Sequence, residues 1–264
     1  MADISVRKIR FTFEEPLDFD VSDEMLGSII PMLGLSMTMP HLEPYLIRTM
    51  RVAIPQITDP QLAEDARRFS QQEGHHYRNH AKLNEQICAS FEPATADELR
   101  AIEQAMEDDY QRFTKQKPLR FNVAYAEGFE AMTCSSALAM AEAGNFDEGA
   151  ELPGGEIWAW HMAEEIEHRT VAFGVFDHLV GSYLYRIAWG TWAQWHYLSY
   201  IRRFSLCMAK GLGRKLTAPS TPMNRAMLRR YLRTWSPRYD PAKIEMPAGV
   251  DALLARYSAM AEHS

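Results

Sequence analysis

The stretch from Trp158 to Phe176, WAWHMAEEIEHRTVAFGVF, constrains this chain more than any other part of the sequence. It places His161, Glu165 and His168 at positions i, i+4 and i+7. At about 100° per residue, this spacing puts the three side chains on one narrow strip of an α-helix. Imidazole and carboxylate groups that share a strip are typical ligands of iron, manganese or zinc. The stretch therefore predicts a helix that forms one wall of a metal site.

A second predicted helix carries a matching strip. Glu73, His76 and His80 lie at i, i+3 and i+7, within about 60° of one another on a helical wheel. His75 points to the opposite side. The order E-x-x-H-x-x-x-H mirrors the H-x-x-x-E-x-x-H of the first strip. Mirrored order suits two antiparallel helices that face a shared centre.

Two further predicted helices each offer an acid among apolar residues. Four-helix bundles that hold two iron or manganese ions draw one Glu from each of two helices and a Glu-x-x-His from each of the other two. Four carboxylates also balance the charge of two divalent cations, which allows such a cluster to be buried. The chain supplies this set in order: Glu43, Glu73, His76, Glu130, Glu165 and His168.

Two of the carboxylate ligands have an alternative nearby in the sequence. Glu127 lies one turn before Glu130 on the same face and competes with it for the same role. Glu164 is a similar rival to Glu165. The sequence therefore favours Glu130 and Glu165, with Glu127 and Glu164 as alternatives.

The additional polar residues on the two strips have two interpretations. His161 and His80 either bind metal directly or orient a ligand through a hydrogen bond. Asn84 and Asp177 are expected to be structural or to lie outside the ligand set. Three other histidines are treated as ordinary: His41, His178 and His196.

The periodicity predicts an all-α fold, most simply a four-helix bundle with additional C-terminal helices. Residues 1–22 are expected to form an extended N-terminal arm, 23–215 the bundle including an aromatic helix, and 216–264 a helical tail packed on the bundle. A first helix should begin at Ser22 and stop at Pro31 and Gly34, and a second should begin at Pro40. The remaining helices are predicted at about 60–90, 95–116 (an acidic, solvated outer element), 121–144, 158–176, 178–209, 222–233 and from 247, with a loop through Gly149, Pro153 and Gly154.

Composition excludes some classes of partner. The net charge of −7 argues against nucleic acid as the main partner. Three separated cysteines fit a reducing compartment, and the N-terminus lacks the apolar core of a signal peptide, so we expect a cytoplasmic protein. The aromatic helix is interpreted first as core and homodimer surface, and only second as a substrate channel or a membrane-interface element. The basic stretch from Arg225 to Arg238 is expected to be a solvated face.

Three parts of the sequence resemble a known family. They are Leu35-Ser36 to Met39-Pro40 with Glu43, then Ile57 to Pro60 followed by Gln72-Glu73 and His76, and the block W-A-W-H-x-x-E-E-x-E-H-x-x-V-A-F. They are similar to the bacterial family of predicted metal-dependent hydrolases, whose members look ferritin-like. The resemblance spans most of residues 5–205 and is most specific from Trp160 to Phe173. It implies a metal-dependent activity within a helical bundle.

A narrower resemblance concerns the order of ligands around Glu165. His161, Glu165 and His168 look like the third-histidine pattern of di-iron arylamine N-oxygenases. This resemblance implies that His161 helps to hold an oxidised cluster. His80 has no counterpart in that comparison.

Together these features predict a non-haem di-iron carboxylate enzyme. It would hold two iron ions, with manganese or zinc as alternatives, and use O₂ to oxidise or oxygenate an apolar or aromatic small molecule. The electron donor is not identified by the sequence. The alternative is a binuclear metal-dependent hydrolase, and a second alternative is a metal-binding or storage protein without turnover.

Overall fold

A computed structural model describes residues 4–13, 16–144, 154–216 and 222–262 of the chain. Over these ranges the regular structure is helical and no strand occurs, so the all-α prediction is confirmed. Two short 3₁₀ helices span Ile54–Gln56 and Pro241–Lys243. The α-helices are α1 (Asp23–Ala53), α2 (Pro60–Ala89), α3 (Pro93–Gln116), α4 (Leu119–Glu142), α5 (Gly155–Glu167), α6 (Val171–Leu179), α7 (Tyr183–Gly211), α8 (Pro222–Thr234) and α9 (Val250–Glu262).

The first helix differs from its prediction. The sequence predicts a break at Pro31 and Gly34, yet α1 continues without interruption through three internal prolines. A proline removes the hydrogen bond to the carbonyl four residues earlier, which for Pro40 is the carbonyl of Ser36. Asn84 Nδ2 donates to that carbonyl at 3.1 Å. Packing against α2 and α7, together with this replacement bond, therefore keeps the helix continuous.

The stretch from Trp158 to Phe176 is also not one helix. It forms α5 and α6, which are separated at His168, Arg169 and Thr170. His168 N still donates to Glu164 O at 2.9 Å, so the helical phase holds as far as His168. Val171 N then bonds back to His168 O and closes a turn. The prediction of one helix is wrong, but the predicted strip survives because the break follows its last member.

Four helices surround the predicted site. α1 packs against α2 and α4, and α5 packs against α2 and α4. α7 packs against α1, α3 and α4 on the outside of the bundle. α8 packs against α4, and α9 packs against α5. At the crossing of α4 and α7 the backbones nearly touch, since a Cβ on Gly128 would lie 2.3 Å from Gly190 Cα. This layer of helices separates the centre of the bundle from solvent.

Helix α3 is more buried than its acidic composition predicts. Its side chains at Leu99, Ile102, Met106, Tyr110 and Phe113 are buried against α1 and α7. Their spacing follows one face of a helix, and the acids lie on the remaining surface. The prediction of a solvated outer element is therefore wrong for this face.

The N-terminal arm contains no helix or strand in residues 4–13 and is bonded to α2. Ile4, Ile9 and Phe11 are buried, and Asn79 bonds the backbone of the arm on both sides of Arg10. The predicted loop residues Gly149 and Pro153 lie outside the described residues. Gly154 precedes α5 with φ of +74°, a conformation that glycine adopts without strain.

Only one helix in the described part of the chain is long and apolar enough to cross a membrane, and it is α1 with the following turn. In its most apolar window 61% is buried inside the bundle. Glu43 lies within this helix and is fully buried. These are properties of the core helix of a globular bundle.

Candidate metal centre

Seven of the eight predicted ligands converge at the centre of the bundle. α1 and α4 each contribute one glutamate, α2 contributes a Glu-x-x-His pair, and α5 with its C-terminal residue contributes the rest. None of the seven side chains is more than 4% exposed. Their donor atoms form three groups, each with all atoms within 4.8 Å: Glu43, His76 and His161; Glu73, Glu130 and His168; Glu73, His76 and Glu165.

The shortest contacts in this cluster involve His161, Glu165 and His168. His168 Nε2 lies 3.3 Å from both Glu130 Oε2 and Glu165 Oε2 and 3.6 Å from Glu73 Oε1. His161 Nε2 lies 3.0 Å from Glu165 Oε1. Glu165 therefore contacts a histidine through each of its oxygens. A carboxylate placed in this way could serve two neighbouring metal positions, one beside each histidine.

Most of the inward-facing atoms have no hydrogen-bond partner among the described residues. Both oxygens of Glu43, Glu73 and Glu130 are buried and unpaired, as are His76 Nδ1 and His168 Nε2. Burying a polar atom without a partner costs roughly 1 to 3 kcal/mol, and more for a charged atom. So many unpaired oxygen and nitrogen atoms at one point fit a pair of divalent cations, which would satisfy them all at once.

Each of the three histidines uses its second ring nitrogen for a hydrogen bond. His76 Nε2 bonds to Glu164 Oε2 at 2.8 Å, and His168 Nδ1 to Gln72 Oε1 at 3.0 Å. His161 Nδ1 bonds to His80 Nε2 at 2.8 Å. Such bonds fix the orientation and tautomer of a metal-binding imidazole.

Arg7 connects two of these hydrogen bonds from the N-terminal arm. Its Nη1 donates to Glu164 Oε1 and to Glu167 Oε2, each at 2.9 Å, and its Nη2 donates to Glu167 Oε1. Glu167 in turn accepts from Gln72 Nε2 at 2.6 Å. The guanidinium thus supports His76 through Glu164, and His168 through Glu167 and Gln72.

His80 lies outside the three donor groups. Its Nδ1 bonds to Ser36 Oγ at 2.9 Å, and Ser36 Oγ donates to Asn84 Oδ1 at 2.7 Å. Burial, followed by the neighbouring His161, lowers the pKa of His80 well below its usual value, so the ring is neutral. Of its two interpretations, the geometry favours the one in which His80 orients His161.

The electrostatics of the cluster without metal are those of crowded acids. Burial, followed by the neighbouring carboxylates, raises the pKa of Glu43 and of Glu130 well above the usual range. Burial lowers the pKa of His76, but the hydrogen bond to Glu164 and the nearby carboxylate of Glu73 outweigh it and raise the value to about 9. Without a cation, protons take up part of the negative charge at this centre.

The structure separates the rival acids. Glu127 turns away from the cluster and pairs with Arg186 at 3.0 Å, whereas Glu130 faces His168. Glu164 contacts the far nitrogen of His76, whereas Glu165 contributes to the cluster itself.

The remaining sequence candidates lie away from the cluster. His75 is half-buried and Asp177 is exposed. The three histidines treated as ordinary make contacts elsewhere: His41 with Glu103 and Glu107, His178 with Thr58, and His196 with Asp109 and Tyr125.

Sequence reasoning missed the residues that hold the histidines from outside. Arg7 was not predicted, and Ser36, Gln72 and Glu167 were noted only within the family motifs. Arg7 lies 157 residues from Glu164, so no local spacing could associate them. Gln72 precedes Glu73 directly, and only the observed bond to His168 reveals its role.

Comparison with known proteins gives one result. No curated protein and no solved structure matches this chain. A family described as predicted metal-dependent hydrolase matches residues 5–245, which include all seven converging side chains and Arg7. Since this match covers most of the sequence, the chain belongs to the family of predicted metal-dependent hydrolases.

Proposed function

We propose that the chain is a binuclear metal-dependent hydrolase. The observation that carries the proposal is the buried group of seven donors, most of them without a hydrogen-bond partner. The donor set suits iron, manganese or zinc. The same donors would also serve oxygen chemistry, so the family match is what favours hydrolysis over oxidation.

The proposed ligands are the seven converging residues, of which Glu73 and His76 each belong to two of the three donor groups. When bound, two divalent ions would supply a water of lowered pKa and polarise the bond to be cleaved. The protein's own contribution is orientation. Glu164 Oε2 and Gln72 Oε1 hold the outer nitrogens of His76 and His168, so that the opposite nitrogens face the centre.

The surroundings of the centre support a substrate with an apolar part. Trp160 packs edge-on to His76 with 4.8 Å between ring centroids, and Phe69 packs in the same way on His168. Buried aromatic rings favour apolar groups and exclude water. We therefore propose a small ester or amide with an apolar or aromatic body rather than a highly charged substrate.

The test combines metal content with turnover. Protein prepared without metal is loaded separately with zinc, manganese and, anaerobically, iron, and its bound metal is measured. Two ions per chain with turnover of apolar esters, absent from the metal-free protein, would support the proposal. Less than half an ion per chain in every case would overturn it, as would two ions without hydrolysis of any ester, amide or phosphoester.

A second candidate function, oxygen activation by a di-iron centre, is favoured by one observation. The seven side chains are almost completely enclosed, and an enclosed site is open to small apolar molecules such as O₂ more readily than to a bulky ester. The iron-loaded, reduced protein would then react with O₂ and give a transient visible absorption. Absence of this reaction in protein shown to hold two irons would exclude the second candidate.

A further inference from the structure

One continuous part of the sequence differs from the rest in charge. Residues 178–239 contain none of the chain's 35 Asp and Glu residues and 11 of its 28 Lys and Arg residues. This segment comprises α7, α8 and the residues that join and follow them. The overall charge of −7 therefore conceals one strongly basic region on an otherwise acidic protein.

The same region exposes most of the protein's outward-facing apolar side chains. Eight of the ten large hydrophobic side chains exposed among the described residues belong to it. The most exposed are Leu184 at 76%, Trp195 at 67% and Leu228 at 58%. The eight are Tyr183, Leu184, Trp195, Leu198, Leu206, Leu228, Leu232 and Trp235. Concentrated exposure of this kind marks an interaction surface rather than the ordinary scatter of single apolar residues.

Helix α8 arranges both kinds of side chain on one open face. Arg225, Leu228, Arg229, Leu232 and Arg233 together line a depression to which no other described element contributes. The side that anchors α8 is different. Arg230, about 200° from each leucine on the helical wheel, pairs with Glu142 of α4.

The three arginines of this face are uncompensated. No ion pair joins any of them to a residue in the described ranges; they are Arg225, Arg229 and Arg233. Burial lowers the pKa of the neighbouring Arg230, and the positive charge of Arg233 lowers it further. Tyr231, Thr234 and Trp235 meet residues of α7 in the groove between α8 and α7. Helix α8 therefore lies against α7, the helix that carries the other exposed apolar side chains of this region.

We propose that this α7–α8 face binds the surface of an anionic lipid bilayer. Arginines beside leucines and a tryptophan on a helix parallel to the surface are the pattern of an interfacial helix, in which the apolar groups enter the headgroup region and the cations meet lipid phosphates. A second copy of the chain fits this face poorly. A twofold interface would place two acid-free, basic surfaces against each other. The proposal depends on the surface alone and not on the metal chemistry.

The test is binding to lipid vesicles by flotation. Vesicles of neutral phosphatidylcholine are compared with vesicles that contain about 30% phosphatidylglycerol, in low and high salt. The protein should bind the anionic vesicles and lose affinity as salt rises. Each arginine near an anionic surface contributes about a fivefold effect, so the triple variant Arg225→Gln, Arg229→Gln, Arg233→Gln should bind about 100-fold more weakly.

Two further variants separate the apolar contribution from general effects. The double variant Leu228→Gln, Leu232→Gln should lower affinity by about tenfold or more. The matched controls change exposed residues outside the region and should bind as the unchanged protein does. They are the triple variant Arg10→Gln, Arg67→Gln, Arg100→Gln and the double variant Met25→Gln, Val52→Gln.

Three outcomes would overturn the proposal. One is equal binding to neutral and anionic vesicles. Another is undiminished binding by the α8 triple variant, with thermal unfolding showing that it is folded. In the third outcome, the protein binds no vesicle. It instead binds a soluble acidic polypeptide, or it associates with itself and the leucine variant abolishes that association. The last result would assign the same face to a protein partner or to a dimer.

Discussion

Each histidine at the centre has one ring nitrogen facing the other donors and one held by a polar neighbour. For His76 these are Nδ1, which has no partner, and Nε2, which is bonded to Glu164. A histidine held in this way is oriented before a cation arrives, so little freedom is lost on binding. His75, the adjacent residue, is only half-buried and has no such arrangement.

We therefore expect His76→Ala and His75→Ala to differ sharply. His76→Ala removes a donor and leaves Glu164 without its histidine, so bound metal should fall from about two ions per chain to one or fewer. His75→Ala should retain the full content. Elemental analysis of both variants after identical loading and desalting checks this. Equal loss in the two variants would contradict the orientation of α2, which turns His76 inward and His75 away.

The positions of the donors follow from local spacing, but their roles do not. Spacings of three, four and seven residues fix which side chains share a strip, and the seven that meet were all predicted from sequence. The choice between Glu127 and Glu130 required the position of Arg186, and the role of His80 required its bond to His161. Both depend on contacts between distant parts of the chain, which no single helix encodes.

At the scale of elements, two helices do not begin or end where proline and glycine would predict. α1 continues through Pro31, Pro40 and Pro44, whereas the run after Trp158 breaks at His168 without a proline or glycine at that point. In the first case packing and Asn84 replace what proline removes. In the second case the turn closed by Val171 ends the helix. Packing decided the first outcome and a local turn the second, so the helical type of these segments was more predictable than where each helix begins and ends.

The crossing of α4 and α7 depends on two glycines. A Cβ at Gly128 would lie 2.3 Å from Gly190 Cα and 2.8 Å from its oxygen, both backbone atoms that cannot rotate away. We expect Gly128→Ala to destabilise the protein by about 1 to 3 kcal/mol. Gly74→Ala is the control, because its nearest neighbour is the flexible end of Arg78 at 3.5 Å and helix propensity should then stabilise it by about 0.5 to 1 kcal/mol. Urea unfolding of both metal-free variants tests the difference, and a destabilised Gly74→Ala with an unaffected Gly128→Ala would contradict it.

The contact between α1 and α3 should depend on pH. His41 lies 3.7 Å from Glu103 and 3.4 Å from Glu107. Burial lowers the pKa of His41, but the neighbouring carboxylates of Glu103 and Glu107 outweigh it and raise the pKa. A raised folded pKa means that the stabilisation is complete below the unfolded value of about 6.5 and is lost as pH rises through the folded value.

His41→Gln should therefore cost up to about 1 kcal/mol of unfolding free energy near pH 6 and less at pH 8.5. Urea unfolding at the two pH values, compared with His178→Gln as a control at an exposed histidine, measures the effect. A cost that is larger at pH 8.5 would mean that the two glutamates do not stabilise the protonated form of His41.

At the scale of the whole molecule, the N-terminal arm and α9 meet at Arg7, beside the metal centre. Arg7 from the arm donates Nε to Leu254 O and Ser258 Oγ of α9, and its other nitrogens reach Glu164 and Glu167 of α5. The arm is therefore part of the support of the site and not only a covering of the bundle. This role was not predictable, because a charged residue in an alternating arm is expected to face solvent.

Replacing Arg7 should affect stability and metal binding together. Arg7→Met keeps an unbranched apolar stem but removes the guanidinium and leaves two carboxylates buried beside each other without a cation. Removal of one partner from a buried ion pair costs about 3 to 5 kcal/mol, which urea unfolding of the metal-free variant should show. Because Glu164 and Gln72 then hold His76 and His168 less firmly, competition with a chelator should show metal affinity lower by about 10- to 100-fold.

The matched control for this prediction is Arg10→Met, which changes an exposed arginine three residues later on the same arm. It should change neither the free energy of unfolding nor the metal affinity. If Arg7→Met lowers stability while metal affinity stays unchanged, Arg7 anchors the arm but does not position the histidines. If both variants behave as the unchanged protein does, the buried ion pairs of Arg7 contribute neither to stability nor to metal affinity.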